Sequence, residues 1–162
     1  MKQAEKMIIR EYIAGDREGV LDLHRLAMEA IGIYGHEPHW NEDLDTIETT
    51  YGGERGIFLV GTINGKIVAM GAYKRNAPGQ AEIKRMRVMP GMQGKGLGKK
   101  IYTELEKRAV KSGIRQFTLE TSALQENAQS LYLSVGFKKT GKVEIDGSAC
   151  ILYEKDLKKS DI

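Results

Sequence analysis

Gln93-Gly94-Lys95-Gly96-Leu97-Gly98-Lys99-Lys100 sets a glycine at every second position of a short basic stretch, between a strand-like run and a helix-like run. Without a Cβ, each glycine can take φ > 0 and let its backbone N–H approach an anion. The helix that begins here adds unpaired N–H groups and the positive end of its dipole, and Lys95, Lys99 and Lys100 add charge at the same place. The stretch reads as a phosphate cradle; the alternative is a tight turn carrying solvated lysines. Its flanks favour the cradle.

Upstream, Ala81 to Val88 (AEIKRMRV) is a strand closed by Pro90-Gly91. Its apolar residues Ile83, Met86 and Val88 break the strict alternation of a pleated strand, which predicts a β-bulge near Lys84 to Met86 and unpaired backbone N–H groups there. Downstream, Leu97, Ile101, Leu105 and Ala109 recur every fourth residue, with Lys99, Lys100, Thr103, Glu104, Lys107 and Lys111 on the other faces, so an amphipathic helix follows. Gly113 ends it, and Ile114 to Thr121 (IRQFTLET) alternates as a second strand. Strand, helix and strand make a βαβ unit with a right-handed crossover and parallel strands.

Two common glycine fingerprints fail. The dinucleotide pattern G-x-G-x-x-G begun at Gly94 meets Lys99 where it needs glycine, and the triphosphate loop begun at Gly91 reaches Gly96 and then meets Leu97 where it needs lysine. The residues instead fit Gln/Arg-x-x-Gly-x-Gly/Ala, as Gln93, Gly96 and Gly98. In this the chain resembles the GNAT superfamily of acyl-CoA-dependent N-acyltransferases, and the likeness spans roughly residues 57 to 157. Ala128, Leu131, Tyr132, Gly136 and Phe137 resemble the family's later A-x-x-L-Y-x-x-x-G-F segment.

The resemblance implies an α/β fold of GNAT type: a mixed, twisted sheet of about seven strands with about four helices, in which the two parallel strands of the central βαβ unit splay to admit the cofactor. It implies acetyl-CoA as co-substrate, held by Met86, Val88, Gln93, Gly94, Lys95, Gly96, Leu97, Gly98, Lys99, Gln125 and Ala128. Many members carry asparagine where Gln125 stands, and Asn127 is out of that register. It further implies that Tyr132 protonates the leaving thiolate and that Glu82 is the general base, with Glu120 the next candidate. The residues alone leave both roles open. Ala128, Leu131, Tyr132 and Val135 share one helical face, so Tyr132 also reads as a core aromatic, and Glu82 also reads as a surface carboxylate paired with Lys84 or Arg85.

The rest of the chain completes the sheet. Met7 to Ile13 is a first strand, and Asp16 caps a helix whose buried face holds Val20, Leu23, Leu26 and Ala27. Asn64-Gly65 joins Phe58–Ile63 to Lys66–Tyr73 as a hairpin, and Asp146-Gly147 joins Val143–Ile145 to Ser148–Tyr153. A chain of 162 residues fits one domain, 1–162, with short flexible ends near 1–6 and 158–162.

Lys+Arg 25 against Asp+Glu 22 gives a net charge of +3, concentrated between Lys84 and Lys100, which locates an anion site rather than a nucleic-acid surface. A single cysteine, Cys150, points to a reducing, cytoplasmic setting, and no signal peptide or membrane-length apolar run is present.

The resemblance implies that the acceptor is an amine of a small molecule or a protein. Ile31 to Asp45 (IGIYGHEPHWNEDLD) offers Tyr34, His36, Glu37, His39 and Trp40 for it, a set that suits a cationic amine or an ordinary polar loop. His36 and His39 lack a third ligand, so no metal is expected. Dimers are frequent in folds of this type, which leaves a homodimer open. The competing readings are an acyl-CoA-binding sensor without catalysis and a small RNA- or ribosome-associated basic protein.

Overall fold

Asn64 and Gly65 both take positive φ, 54° and 75°, the type I′ geometry that matches the twist of the strands they join. In the computed structural model, which describes residues 6–32, 42–145 and 147–158, this hairpin lies inside one sheet. The elements in chain order are β1 (Ile8–Glu11), α1 (Arg17–Ala30), α2 (Glu42–Asp45), α3 (Ile47–Thr50), β2 (Gly56–Ile63), β3 (Lys66–Ala77), β4 (Gln80–Val88), α4 (Leu97–Lys111), β5 (Gln116–Ser122), α5 (Glu126–Ser134), β6 (Lys138–Ile145) and β7 (Ser148–Asp156). A short 3-10 turn, Ala14–Asp16, precedes α1.

The seven strands run in the order β1-β2-β3-β4-β5-β7-β6. Every neighbouring pair is antiparallel except β4 and β5, which the α4 crossover makes parallel. This is the expected mixed sheet with its central βαβ unit. Among the described residues five α-helices stand where about four were expected. The difference lies in α2 and α3, single turns separated by Thr46, whose φ of −136° and ψ of 44° leave the helical region.

Both faces of the sheet are covered, so β3 is buried continuously from Ile67 to Tyr73 instead of alternating. On one face Leu97, Ile101, Leu105 and Ala109 of α4 pack with Phe117, Tyr132 and Phe137. Each of the larger side chains contributes about 1.5–3 kcal/mol on burial. On the other face Val20 and Leu23 of α1, Leu44 of α2 and Ile47 of α3 cover Phe58, Val60 and Met70. Among the described residues no helix is long and apolar enough to cross a membrane.

Three local expectations are corrected. The first strand is Ile8–Glu11 rather than Met7 to Ile13, because the chain turns into the 3-10 segment at Ala14. The buried face of α1 is Val20, Leu23, His24, Ala27 and Met28; Leu26 is only half-buried, since the helix is rotated to bring His24 and Met28 over β4. Asp16 occupies the N-cap position but caps no helix N–H. Its carboxylate accepts from the Ile13 N–H at 2.9 Å and from Arg10 at 2.7 and 2.8 Å, where a full positive charge outcompetes a helix amide.

The expected bulge sits on β4. Met70 pairs with Arg87 and Ala72 with Lys84, so Arg85 and Met86 together oppose Gly71. Arg85 takes a φ of 59° to make the extra step. Gly71 makes room for it: a Cβ there would lie 2.3 Å from Met86 Sδ and 2.8 Å from Ile101 Cγ2.

Candidate active site

β4 and β5 pair only through Gln80, Ala81 and Glu82, opposite Gln116, Phe117 and Thr118. Beyond Glu82 the strands part, and the edge of β4 facing β5 has no strand partner. Two cavities open along this gap, of about 860 and 580 Å³, and Met28, Met86, Arg87, Leu124 and Gln125 line both, so they form one cleft.

The smaller cavity ends at the glycine stretch. Val88, Gln93, Gly94, Gly96, Leu97, Gly98, Lys99, Gln125 and Ala128 line it together with Met86, so ten of the eleven residues expected to hold the cofactor share this cavity, while Lys95 is exposed outside its lining. Gly94 and Gly96 have φ of 80° and 77°, and Gly96 is the N-cap of α4. A cap without a side chain leaves the first N–H groups of the helix to a ligand, and no acidic residue stands in the first turn to compete. Gly98 serves packing instead: a Cβ there would meet Leu131 at 3.3 Å and Val88 at 3.4 Å, so glycine lets α4 start close against α5 and β4. Asn127, out of register by the family pattern, donates from Nδ2 to Gln93 Oε1 at 2.8 Å and ties α5 to the loop.

Tyr132, Glu82 and Glu120 line the larger cavity. Tyr132 is a core aromatic that also lines the cavity. Its ring is buried against Phe137 and Tyr153, at centroid distances of 5.6 and 6.2 Å, while its hydroxyl makes no hydrogen bond to any described residue. The Gly136-Phe137 pair fixes this placement. Gly136 at φ 100° closes α5, the Phe137 N–H donates to the Tyr132 carbonyl at 3.0 Å, and the Phe137 ring then lies against the Tyr132 ring. Burial pushes the phenol well above its ordinary value, with the charge of Arg87 pulling back, so the hydroxyl keeps its proton.

Glu82 is half-buried and pairs with Lys84 at 3.5 Å. Glu120, past the point where the strands part, has its carboxyl raised by burial and then by the charge of Glu82. A raised carboxyl is better matched to proton abstraction near neutral pH.

Two arginines on β4 shape the cavity in ways the sequence did not assign. Arg85 engages Asp43 of α2 with Nε at 3.0 Å and with Nη2, and the Tyr51 hydroxyl donates to the same carboxylate at 2.6 Å. Burial pushes the Asp43 carboxyl up, but the hydrogen bonds and charge of Arg85 outweigh it and hold the group below its usual range. Arg87 donates from Nη1 to the Met86 carbonyl at 2.8 Å and to Gln125 Oε1 at 3.3 Å. Burial, then the charge of Arg85, lowers it to about 10. The only signal in the sequence was the basic run Lys84-Arg85-Met86-Arg87. Tyr34, His36, Glu37, His39 and Trp40, proposed for the acceptor, lie outside the described residues.

A profile of the Acetyltransferase (GNAT) family matches residues 18–137. The N-acetylaspartate synthetase of Xenopus tropicalis is 33% identical over 104 residues, covering 63% of this chain and 38% of that protein. The chain spans about half the length, or less, of the curated relatives it matches. A GNAT-family acetyltransferase from Staphylococcus aureus Mu50 shares the fold with a TM-score of 0.86 at 22% identity, over 94% of this chain and 100% of that one. The PaiA N-acetyltransferase of Thermoplasma acidophilum, solved in complex with coenzyme A, gives 0.77 at 24% identity over 93% and 99%.

Proposed function

The chain belongs to the GNAT acetyltransferase family, and from that membership and the cleft we propose that it transfers an acetyl group from acetyl-CoA to a primary amine by direct attack. The observation that carries the proposal is one continuous cleft, lined by the bare N-terminus of α4 in its smaller part and by Tyr132 in its larger part, with a tyrosine hydroxyl that bonds to no described residue. The residues fit the co-substrate: Gly94 and Gly96 leave a concave run of N–H groups that a Cβ-bearing loop would not adopt, and the α4 dipole favours a diphosphate there. The coenzyme A complex of the Thermoplasma protein supports the same assignment. Bound there, acetyl-CoA supplies an activated acetyl thioester.

This chain's residues then supply position, charge and protons. The Gln93–Lys99 loop holds the diphosphate, and the unpaired edge of β4 from Met86 to Val88 offers N–H groups to the pantetheine arm and the acyl oxygen. Glu120, tuned by Glu82, takes the proton that an ammonium must lose before it can attack. Tyr132 holds at its hydroxyl the proton that the leaving sulfur needs. Orienting the amine against the thioester removes a large entropic part of the barrier. The relative named N-acetylaspartate synthetase supports an amine acceptor. One sheet joining β1 to β7 supports a single domain over 1–162, and the lone Cys150 supports a reducing compartment such as the cytoplasm. Free-thiol release from acetyl-CoA across a panel of amines, beside a thermal-shift titration with the cofactor, tests the reading. A cofactor-induced shift without thiol release from any amine would favour a sensor instead.

A further inference from the structure

Arg87 stands where the two parts of the cleft meet. One side of its guanidinium, Nη1, is spent on the Met86 carbonyl and Gln125. The other edge is not. Among the described residues Nε is sealed from solvent with no acceptor, and the partner of Nη2 is the Met28 thioether at 4.0 Å. Among the described residues no carboxylate pairs with it, and Asp43, the acid whose charge it feels, is engaged by Arg85. Arg85 grips Asp43 with this same Nε and Nη2 edge, so the chain itself displays the ligand that such an edge takes.

A buried cation without a counter-charge is unfavourable unless something in the working state supplies one. Met28 covers the open edge, and an unbranched thioether moves aside readily. Farther along, the larger cavity is lined by two carboxylates, Glu82 and Glu120, with Lys74 and Lys84 beside them. Glu82 pairs opposite Lys74 and Arg87 opposite Met70, about 13 Å apart along the backbone by the rise of a strand, and the reach of both side chains shortens the gap. Lys84 is taken up by Glu82, and Lys74 is exposed. The cavity thus suits a ligand carrying an ammonium and a carboxylate.

We propose that Arg87 is the receptor for a carboxylate on the acceptor, which makes the acceptor an amino acid rather than a polyamine, an uncharged amine or a peptide end. This rests on the acyl-transfer reading above. The test is thiol release by the full chain with L-methionine, L-phenylalanine, L-aspartate and glycine. Each is compared with its α-carboxamide, and all with spermidine, tryptamine and a C-terminally amidated peptide.

The best acid should exceed its amide at least tenfold in kcat/KM. Arg87→Gln should remove that preference by raising the acceptor KM at least tenfold, with the KM for acetyl-CoA unchanged, and Arg87→Lys should restore part of it. Amides, polyamines or the peptide reacting as well as the acids in the unaltered protein would overturn the proposal. So would an Arg87→Gln defect confined to acetyl-CoA. If Arg87→Gln fails to fold, the acid-to-amide ratio of the unaltered protein decides alone. If no amine releases thiol, the acyl-transfer reading fails, and the carboxylate site is judged by melting with N-acetyl-L-methionine and coenzyme A. A stabilisation that Arg87→Gln abolishes supports the site, and none overturns it.

Discussion

Replacing Asp43 by alanine removes the counter-charge of Arg85 at the bulge, and the structure sets the size of the effect. The two side chains are only 15% and 12% exposed, the pair is two-pronged, and the Tyr51 hydroxyl loses its acceptor in the same change. Breaking a buried pair from one side costs about 3–5 kcal/mol because the remaining charge is stranded. With some solvent access at both groups, the lower end, about 3 kcal/mol, is the expectation. For a chain of this length that lowers the melting temperature by about 6–12 °C.

The backbone and the ion pair can be separated at the other partner. Arg85→Ala loses the pair and keeps the left-handed φ of 59°, whereas Arg85→Gly loses the pair and relieves that φ. Glycine should therefore be more stable than alanine there by about 1 kcal/mol. Urea unfolding of Asp43→Ala, Arg85→Gly and the double variant gives the coupling, expected at about 2 kcal/mol. A loss under about 0.5 kcal/mol for Asp43→Ala, with no coupling, would mean that the pair behaves as a surface ion pair, and the reasoning would be wrong. The pH dependence has a definite sign. The native Asp43 carboxyl lies below its unfolded value of about 3.9, so its contribution is complete above that pH and is lost as pH falls through the depressed native value. Asp43→Asn should flatten this acid limb of the stability curve.

Tyr132→Phe should lower kcat by roughly 10²-fold, with melting temperature and acetyl-CoA affinity nearly unchanged, because the hydroxyl bonds to no described residue; unaltered turnover would remove the acid role. Glu120→Gln should abolish the acid limb of kcat/KM, which rises as the raised carboxyl ionises, whereas Glu82→Gln should move that limb to lower pH by removing the charge that helps raise it; the reverse pattern would make Glu82 the base. Gly96→Ala forces a Cβ into a φ of 77° at the N-cap of α4. It should cost about 1–2 kcal/mol of stability and weaken acetyl-CoA binding measured by calorimetry, and unchanged affinity would take the diphosphate away from this loop.

Much of the site was legible because it is encoded locally. The glycine spacing, the strand-helix-strand rhythm and the Tyr132 to Phe137 segment each depend on residues within one or two turns of one another, and all three are present in the fold. The Asp43–Arg85 pair was not legible, since its partners are 42 residues apart and nothing local to Arg85 names an acid. The situation of Arg87 was hidden for a related reason: its lack of a carboxylate partner among the described residues is a property of everything packed around it.

The irregular spacing of Ile83, Met86 and Val88 connects the two kinds of information. A regular strand would alternate through this stretch and send Arg85 to the core face with Ile83 while turning Met86 outward. The bulge adds one residue, so that Ile83, Met86 and Val88 all pack toward α4 while Glu82, Lys84, Arg85 and Arg87 all line the larger cavity. A single extra residue thus concentrates four charged side chains on one wall of the cleft without removing an apolar side chain from the core. Gly71 is the third component, because its missing Cβ is the space into which Met86 turns. The break in apolar periodicity is therefore the trace that a charged cavity wall leaves in the sequence. Gly71→Ala should damage both at once, costing about 1–3 kcal/mol through overpacking and displacing the arginines from the cavity wall, which urea unfolding and acceptor KM would register.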